Sequence, residues 1–348
     1  MTSTIHLIER WENNEFTTFD DLLELITSLD SITYLSFAEA CIHLENPVLL
    51  AEIMNHLRPQ EVAVLDVVRH RFEGNTDLLN SIEHALEICC TKKHRDVHLE
   101  GRLRMERGLV RFEQGDFEGA ESDLTWAETR LKSVSKASRD HDLSLLNKAA
   151  YHMARGEQLM ALQVYGDISR HGGHAHETIA ISRLGASRIH YALGHDFDAA
   201  RHAWNAHYHS ILANEIMMAI EAGTLFVEIS LPHQDPEAIP MNIQVEDIAP
   251  RDLKEELPQL SVQPNDLKSV YSWCLENIER NVSGQHRPDL QALLRISLHL
   301  DELESMSFLL LHPENVEDAF LASLCMSIVS NAEDVAKWNA RLSVLSQV

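Results

Sequence analysis

Histidine is the side chain with the widest chemical capacity in this chain, which has 348 residues and 21 histidines. Many of them fall in one stretch: His171, His174, His176, His190, His195, His202, His207 and His209. Neutral imidazoles at short spacing bind zinc, nickel or copper, and the glycines of the HGGHAH segment would let a loop wrap around an ion. No cysteine or tight carboxylate group accompanies them. We therefore favour packed or solvated histidines, and we expect no bound metal.

Histidine–aspartate pairs are a second possible source of chemistry, and the candidates are His94 with Asp96, His141 with Asp142, and His195 with Asp196. An all-α phosphohydrolase of the HD type uses such a pair as metal ligands. Asp142 and Asp196, however, each come just before a helical pattern, where a carboxylate caps the first turn. Phosphate-binding loops and the GxSxG elbow are absent from the sequence. We expect no enzyme, no catalytic residue and no cofactor.

Arginines form the third group of candidate residues. Arg104, Arg107 and Arg111 are spaced by three and four residues, which places them on one face of a helix. Other arginines on similar helical segments are Arg69, Arg71, Arg102, Arg183 and Arg188. Guanidinium groups bind carboxylates through charge-assisted hydrogen bonds, so these faces could hold an acidic ligand. Glu100 lies four residues before Arg104, and ordinary pairing within the chain is the alternative that the spacing favours.

Composition limits the class of protein that can hold these residues. Only 6% of the residues are aromatic, and 13 glycines and 10 prolines leave few turns, which favours helices over a many-stranded sheet. The 54 acidic residues outnumber the 29 basic ones, giving a net charge of -25 that repels nucleic acid. The 5 cysteines form no CxxC pair, as in a reduced cytosolic protein. Without a signal peptide or an apolar run approaching ~18 residues, we expect a cytoplasmic protein that does not bind a membrane.

A repeated helix–turn–helix pattern runs from about residue 62 to residue 230. Its second helices carry a small or apolar residue at an equivalent point, and these residues are Leu79, Ala120, Ala161 and Ala200. They are separated by 41, 41 and 39 residues. A fixed period in this range indicates a solenoid, in which each helical hairpin buries its apolar face against its neighbours.

The repeats resemble the tetratricopeptide family. The best match lies in residues 108–127, through Gly108, Gly115, Asp116, Phe117, Ala120, Leu124 and Ala127. A second unit keeps Gly156 and Ala161, and a third keeps Ala200 and Trp204 with His195 at the position of the usual turn glycine. The period exceeds the family's usual one of about 34. The resemblance implies an all-α fold, namely an α-solenoid of antiparallel helical hairpins with terminal helical caps.

In the tetratricopeptide family the first helices of the hairpins line a groove that holds a partner peptide. The residues that this resemblance would place there are Arg71, Arg102, Arg104, Met105, Arg107, Arg111, Phe112, Asn147, Met153 and Arg188. The function that we expect is a non-enzymatic scaffold or adaptor that binds another protein or peptide, with some acidic character, in this groove. A regulatory sensor of a small peptide or metabolite is the alternative, and a metal-dependent phosphohydrolase of the HD type is less favoured.

The chain is expected to contain four parts. They are an N-terminal helical cap (1–60), the repeat solenoid (61–230), an acidic proline-rich linker or insert (231–264) and a C-terminal helical bundle (265–348). The insert holds six of the ten prolines, which forbids a continuous helix there. Within the C-terminal bundle the pattern predicts helices over 265–282, 287–311, 313–331 and 332–345.

Overall fold

A computed structural model describes residues 4–29, 32–75, 77–241, 258–280 and 286–347. Over these residues the protein is all-α, as the sequence predicts: no strand forms, and a single isolated bridge joins Gln234 to Val262. The chain folds into two compact units, Met1–Tyr151 and His152–Val348. Within each unit neighbouring helices pack against one another in order, which is the packing of an α-solenoid. The four-part division expected from the sequence stays a prediction.

The first unit is built from consecutive helices. They are α1 (Thr4–Glu12), α2 (Phe19–Ser28), α3 (Tyr34–His43), α4 (Pro47–Met54), α5 (Pro59–Phe72), α6 (Leu78–Cys90), α7 (Val97–Glu113), α8 (Phe117–Ser135) and α9 (Arg139–Ala154), whose last residues pass the division at Tyr151. Their starts follow from local chemistry. Thr18 and Asp21 form a reciprocal capping box before α2, and Asp96 and Asp116 each accept a backbone N–H at the start of α7 and α8.

The α7–α8 hairpin is closely packed because α7 contains two glycines that face α8. A Cβ atom on Gly108 would lie 2.9 Å from Leu124 Cγ, and one on Gly101 would lie 2.9 Å from Leu131 Cγ. Leu124 and Leu131 are fully buried in this interface. Because Gly101 and Gly108 have no side chains, the axes of α7 and α8 can approach closely. This contact also determines which face of α8 points away from the hairpin.

The second unit continues the same construction. Its helices are α10 (Gln158–Asp167), α11 (His176–Ala192), α12 (Asp196–Ala213), α13 (Ile216–Ser230), α14 (Pro264–Asn277), α15 (Pro288–His299), α16 (Ser307–Leu310), α17 (Ala319–Ile328) and α18 (Ala332–Leu345). Helix α12 packs on α11 and α13, and α13 in turn packs on α14 and α15. The largest apolar core lies here, with Phe226, Tyr271 and Trp338 fully buried.

Glycines in the left-handed conformation close the hairpin turns. Gly115 (φ 82°) and Gly156 (φ 73°) have the positive φ that the sequence predicts. In the last hairpin the turn glycine is Gly194 (φ 75°), so the expectation that His195 replaces it is wrong by one position. After each glycine the next N–H donates to a carbonyl five residues back, as from His195 to His190 (2.9 Å). The repeated closure explains why the hairpins have similar turns.

The C-terminal helices differ from the sequence prediction in two places, since the helix predicted over 313–331 begins only at Ala319, after a 3₁₀ turn at Pro313–Asn315. Residues 287–311 do not form one helix, because α15 ends at His299 and a short 3₁₀ helix, Leu303–Met306, precedes α16. Asp301 adopts a left-handed conformation (φ 58°), and the N–H of Glu302 donates to the carbonyl of Ser297 (2.8 Å). The chain thus closes α15 as a glycine would, but with an aspartate.

The predicted insert, 231–264, is described only at its two ends, and residues 242–257 lie outside the described residues. Its beginning forms a short 3₁₀ helix, Leu231–His233. Met241, Leu260 and Val262 are buried in the core of the second unit. These ends are therefore packed parts of the unit.

One stretch of the described residues, Ile216–His233, is long and apolar enough to cross a membrane by length and composition. Half of this stretch is buried inside the protein. It comprises α13 and the 3₁₀ turn after it, and α13 packs against α12, α14 and α15. The apolar composition of α13 is thus that of a core helix in the second unit.

Candidate functional site

Three of the predicted arginines of α7 converge on one carboxylate of α8. The Nε and NH2 atoms of Arg107 lie 2.8 Å from Oδ2 and Oδ1 of Asp123, which is a bidentate pair. NH1 of Arg111 donates to Oδ2 (2.8 Å), and NH1 of Arg104 donates to Oδ1 (3.3 Å). The spacing of the arginines predicts their shared face, and the structure confirms it.

Asp123 occupies a buried position of α8, with its side chain 2% exposed. Ala120 and Ala127, at helical spacing from Asp123, and the adjacent Leu124 are fully buried against α7 and the adjoining core. A carboxylate at such a position is stable only when it is fully hydrogen-bonded and neutralised. The hydrogen bond to Asp123 raises the pKa of Arg107, more than offsetting the effect of burial. The Asp123 carboxylate therefore orients the guanidinium groups around it.

Three carboxylates face the three guanidinium groups of this cluster. Glu100 accepts a hydrogen bond from Nε of Arg104 (3.0 Å), and Oδ2 of Asp116 lies 3.7 Å from Nε of Arg111. Two of the three carboxylates, Asp123 and Glu100, are buried. The side chains of the three arginines are between 16% and 27% exposed, so each is partly accessible to solvent. A guanidinium carries more N–H donors than these contacts use.

Trp126 lies beside the arginine cluster on the outer side of α8. The guanidinium carbon of Arg104 lies 4.3 Å from the centroid of the Trp126 ring, and that of Arg130 lies 5.6 Å from it. The exposed face of α8 here is open, and its residues are Glu118, Glu121, Ser122, Thr125, Trp126, Thr129 and Arg130. The half-buried indole is the large apolar side chain of this face.

Sequence reasoning missed Asp123, Trp126 and Arg130. A signal for each was present. Asp123 interrupts the apolar positions of α8 between Ala120 and Leu124, and Arg130 follows Trp126 by four residues, which predicts one shared face. What the spacing does not reveal is that α7 and α8 meet at Asp123.

Arg102 of α7 and Arg71 of α5 have other partners, which lie on the side of α7 that faces α3, α5 and α9. Arg102 donates to Glu39 of α3 (2.7 Å) and lies 3.5 Å from Asp140 of α9. Arg71 of α5 lies 2.6 Å from Glu106 of α7. Burial raises the pKa of Glu106, while the two arginines act in the opposite direction.

The two sides of α7 therefore differ in charge. On the α3–α5–α9 side the carboxylates of Glu39, Glu106 and Asp140 outnumber the guanidiniums of Arg71 and Arg102. On the Asp123 side the three arginines are matched by the carboxylates of Asp123, Glu100 and Asp116. Residues 102 and 106 are offset by roughly half a turn from residues 104, 107 and 111, so the predicted arginines do not line one groove.

The remaining predicted residues of the first unit are buried or half-buried and pack against other side chains. Met105 is 4% exposed and packs in the α7–α8 core. The ring of Phe112 contacts the rings of Phe117 and Tyr151, with centroids 5.5 and 5.6 Å away. Asn147 is half-buried on α9. A partner molecule could reach Met105 only if the hairpin opened.

Two predicted residues belong to the second unit. Met153 is half-buried near the end of α9. Arg188 of α11 is exposed and forms an ion pair with Glu221 of α13. Exposed ion pairs of this kind contribute little to stability or to specificity.

The histidines of the second unit include a closely packed set at the α11–α12 turn. The ring of His190 lies 5.7 Å from that of His195 and 5.3 Å from that of His202, measured between centroids. The Nδ1 atoms of His190 and His202 are buried without a hydrogen-bond partner among the described residues. Burial lowers the pKa of both imidazoles, and for His202 the pKa is well below its usual value. These side chains are thus held neutral inside the unit.

Asp142 and Asp196 lie in the first turns of their helices, close to the helix starts that the sequence predicts, and Asp96 also lies at a helix start. Asp96 accepts the N–H of Leu99 at the start of α7, and Asp142 is in the first turn of α9. Asp196 is the first residue of α12 and lies 3.2 Å from Nε2 of His233. Neither comparison with models of known protein families nor comparison with curated proteins gives a match to this chain. The resemblance to the tetratricopeptide family therefore stays a prediction.

Proposed function

We propose that this protein is a non-enzymatic scaffold or adaptor, and that it binds an acidic segment of a partner protein on the surface formed by Arg104, Arg107, Arg111, Trp126 and Arg130. The observation that carries this proposal is the convergence of three guanidinium groups on the buried carboxylate of Asp123. We call these five residues the arginine–tryptophan surface.

The guanidinium groups are suited to this task because their positions are already fixed. Asp123 holds Arg107 through two hydrogen bonds, so little conformational entropy is lost when a ligand engages the outer N–H groups. A carboxylate of a partner would accept from the guanidinium N–H groups that the contacts within the cluster leave unused. Bidentate contact between guanidinium and carboxylate also defines the orientation of the bound segment.

Trp126 supplies the apolar part of the surface. Tryptophan and arginine are the residues that most often dominate the binding energy of protein interfaces. Arg104 and Arg130 lie near the indole ring, so charged and apolar groups are adjacent on this surface. A segment that combines acidic residues with an apolar side chain would place the apolar side chain against Trp126 on the exposed face of α8.

The charge of the whole chain does not prevent this interaction. The net charge is -25, which repels an acidic partner at long range. At physiological ionic strength the repulsion is screened over about 8 Å, whereas direct contacts with guanidinium groups persist. The opposite side of α7 has an excess of carboxylates, so it is a poorer site for an acidic ligand.

The proposal also includes the repeat family of the hairpins and the cellular location of the protein. We propose that the hairpins are tetratricopeptide-like repeats, and the glycine turns and the ordered helix packing support this proposal. A cytoplasmic location is supported by the free thiols of all 5 cysteines.

A peptide array tests the proposal directly. Fluorescein-labelled peptides of acidic, neutral and basic composition, each with and without one tryptophan or leucine, are titrated with the wild-type protein and with Arg111→Gln. We expect the acidic peptides with an apolar residue to bind most tightly, and Arg111→Gln to bind them more weakly. Preference for basic peptides, or no preference, would rule out the proposed surface. Tight binding of a small metabolite alone would instead favour the sensor.

A further inference from the structure

The exposed face of α8 carries charged side chains of both signs that are not neutralised within the protein. Glu118 and Glu121 lie in the first half of α8, Arg130 lies in its second half, and all three are exposed. Over the part of the chain that the structure describes, none of the three forms an ion pair, whereas Arg104 and Arg111 beside them do. These three charges are therefore available to a ligand.

The two signs of charge are separated along the helix. Glu121 and Arg130 are nine residues apart, or about 14 Å along the axis, so they do not pair with each other. Trp126 lies between them, with its ring centroid 5.6 Å from the guanidinium carbon of Arg130. The indole thus marks the boundary between a negative half and a positive half of this face.

The helix dipole explains only part of this arrangement. It favours acidic residues in the first turn and basic residues in the last turn, and Glu118 and Lys132 are at such positions in α8. The effect falls off within those turns. Glu121 and Arg130 lie outside them, so the stability of the helix alone does not account for their placement.

We infer that the partner segment carries a basic side chain as well as its acidic residues, with the apolar residue between them. The acidic residues contact Arg104 and Arg130, and the apolar residue packs on Trp126. The basic side chain pairs with Glu118 or Glu121, where a second acidic group would be repelled. The inference rests on the proposed function, because it concerns the same surface and extends it by two carboxylates.

The positions along α8 determine the spacing of these groups in the ligand. Along the axis Trp126 is about 6 Å from Arg130, about 8 Å from Glu121 and about 12 Å from Glu118. An extended chain advances about 3.3 Å per residue. The acidic residues therefore lie about two positions from the apolar residue, and the basic residue lies about two to four positions away on the other side. The charges do not determine the chain direction, so both directions are tested.

Fluorescence anisotropy with two fluorescein-labelled, C-terminally amidated peptides tests the inference. The first peptide has the order Glu-Glu-Ala-Trp-Ala-Ala-Lys, the second has glutamate in place of the lysine, and each is also made in the reverse order. The wild type is compared with the double variant Glu118→Lys/Glu121→Lys. The matched control is Glu24→Lys/Glu52→Lys, at exposed positions of α2 and α4, because it changes the net charge of the chain equally. Circular dichroism confirms that each variant is folded.

We expect the wild type and the control variant to bind the lysine peptide about threefold more tightly than the glutamate peptide in one chain direction, as exposed ion pairs contribute modestly. In Glu118→Lys/Glu121→Lys the order of the two affinities should reverse, and in Glu118→Gln/Glu121→Gln most of the preference should be lost.

Equal affinities in the wild type, or an unreversed order in the lysine variant, would overturn the inference. The proposed function would still stand in that case if Arg111→Gln weakened the binding of both peptides. If neither peptide bound to the wild type, the inference and the proposed function would both be wrong.

Discussion

Arg107 of α7 and Asp123 of α8 form a bidentate ion pair, with both nitrogen–oxygen distances at 2.8 Å, inside the α7–α8 hairpin. Arg104 and Arg111 join the same carboxylate from the same helix face. The pair therefore has two roles: it connects the two helices, and it holds the guanidinium groups that we propose as a binding surface.

The first prediction concerns the stability of the hairpin. Asp123→Asn keeps the shape of the side chain but removes the charge that three arginines share, and breaking a buried ion pair in this way should lower the free energy of unfolding by about 3 kcal/mol. Urea unfolding followed by circular dichroism measures the change. Glu121→Gln, on the exposed side of the same helix, is the control and should change stability by less than about 0.5 kcal/mol. Similar stability of the two variants would contradict a structural role for Asp123.

The second prediction concerns the close approach of α7 and α8. Gly108→Val introduces a Cβ and two methyl groups where a Cβ alone would lie 2.9 Å from Leu124 Cγ. Overpacking should lower the free energy of unfolding by about 1–3 kcal/mol or more. Thermal unfolding measures it, with Ser122→Ala on the exposed side of α8 as a nearly neutral control. An unchanged melting temperature in Gly108→Val would mean that the two helices do not approach each other so closely.

The third prediction concerns pH. Burial lowers the pKa of His202 and His190, so the unfolded chain binds protons more readily than the folded chain does. Their contribution to stability is fully present above the unfolded pKa of about 6.5 and is lost as the pH falls below it. The free energy of unfolding should therefore decrease between about pH 7.5 and about pH 5.5.

Replacing the buried imidazole tests this origin. His202→Gln should reduce the difference between the free energies of unfolding at the two pH values, whereas His84→Gln, at an exposed position, should leave it unchanged. Chemical denaturation at each pH measures both. If His202→Gln kept the full pH dependence of the wild type, the titration of other groups would have to explain it.

The fourth prediction concerns the thiols. Burial raises the pKa of Cys41, Cys89, Cys274 and Cys325 to about 12, so their reactive thiolate forms are scarce at neutral pH. Cys90 is the exposed cysteine, although burial and Glu100 raise its pKa as well. Iodoacetamide should first add one label, slowly, at Cys90. Mass spectrometry of the native protein measures it, and rapid labelling of several sites, or of Cys90→Ser, would argue against burial of the other four thiols.

The repeat pattern made the fold predictable. A glycine at Gly115 or Gly156, followed by a polar residue and a buried alanine, encodes a turn and a close helix contact locally, so the sequence suffices. The end of α15 was not predictable in the same way. Asp301 adopts the left-handed conformation without the glycine that usually signals it, and the apolar spacing continues across the break.

The candidate site was predictable only in part. The spacing of Arg104, Arg107 and Arg111 defines one face of a helix, because that relationship is local. Their common partner, Asp123, is 16 residues from Arg107, and its contact depends on how α7 and α8 pack. The helical period of α7 places Arg102 on a different face from Arg104, Arg107 and Arg111. A count of the arginines on α7 does not show this separation.

The affinity of one acidic, tryptophan- or leucine-containing peptide for matched variants tests the central claim most directly. Fluorescence anisotropy gives the dissociation constants of the wild type, Trp126→Ala and Arg71→Gln. Arg71 is the control because it belongs to α5 and contacts the opposite side of α7. We predict that Trp126→Ala weakens binding by about tenfold or more, equivalent to about 1.4 kcal/mol, and that Arg71→Gln leaves it unchanged. Unchanged binding by a folded Trp126→Ala, or loss of binding in Arg71→Gln alone, would contradict the account.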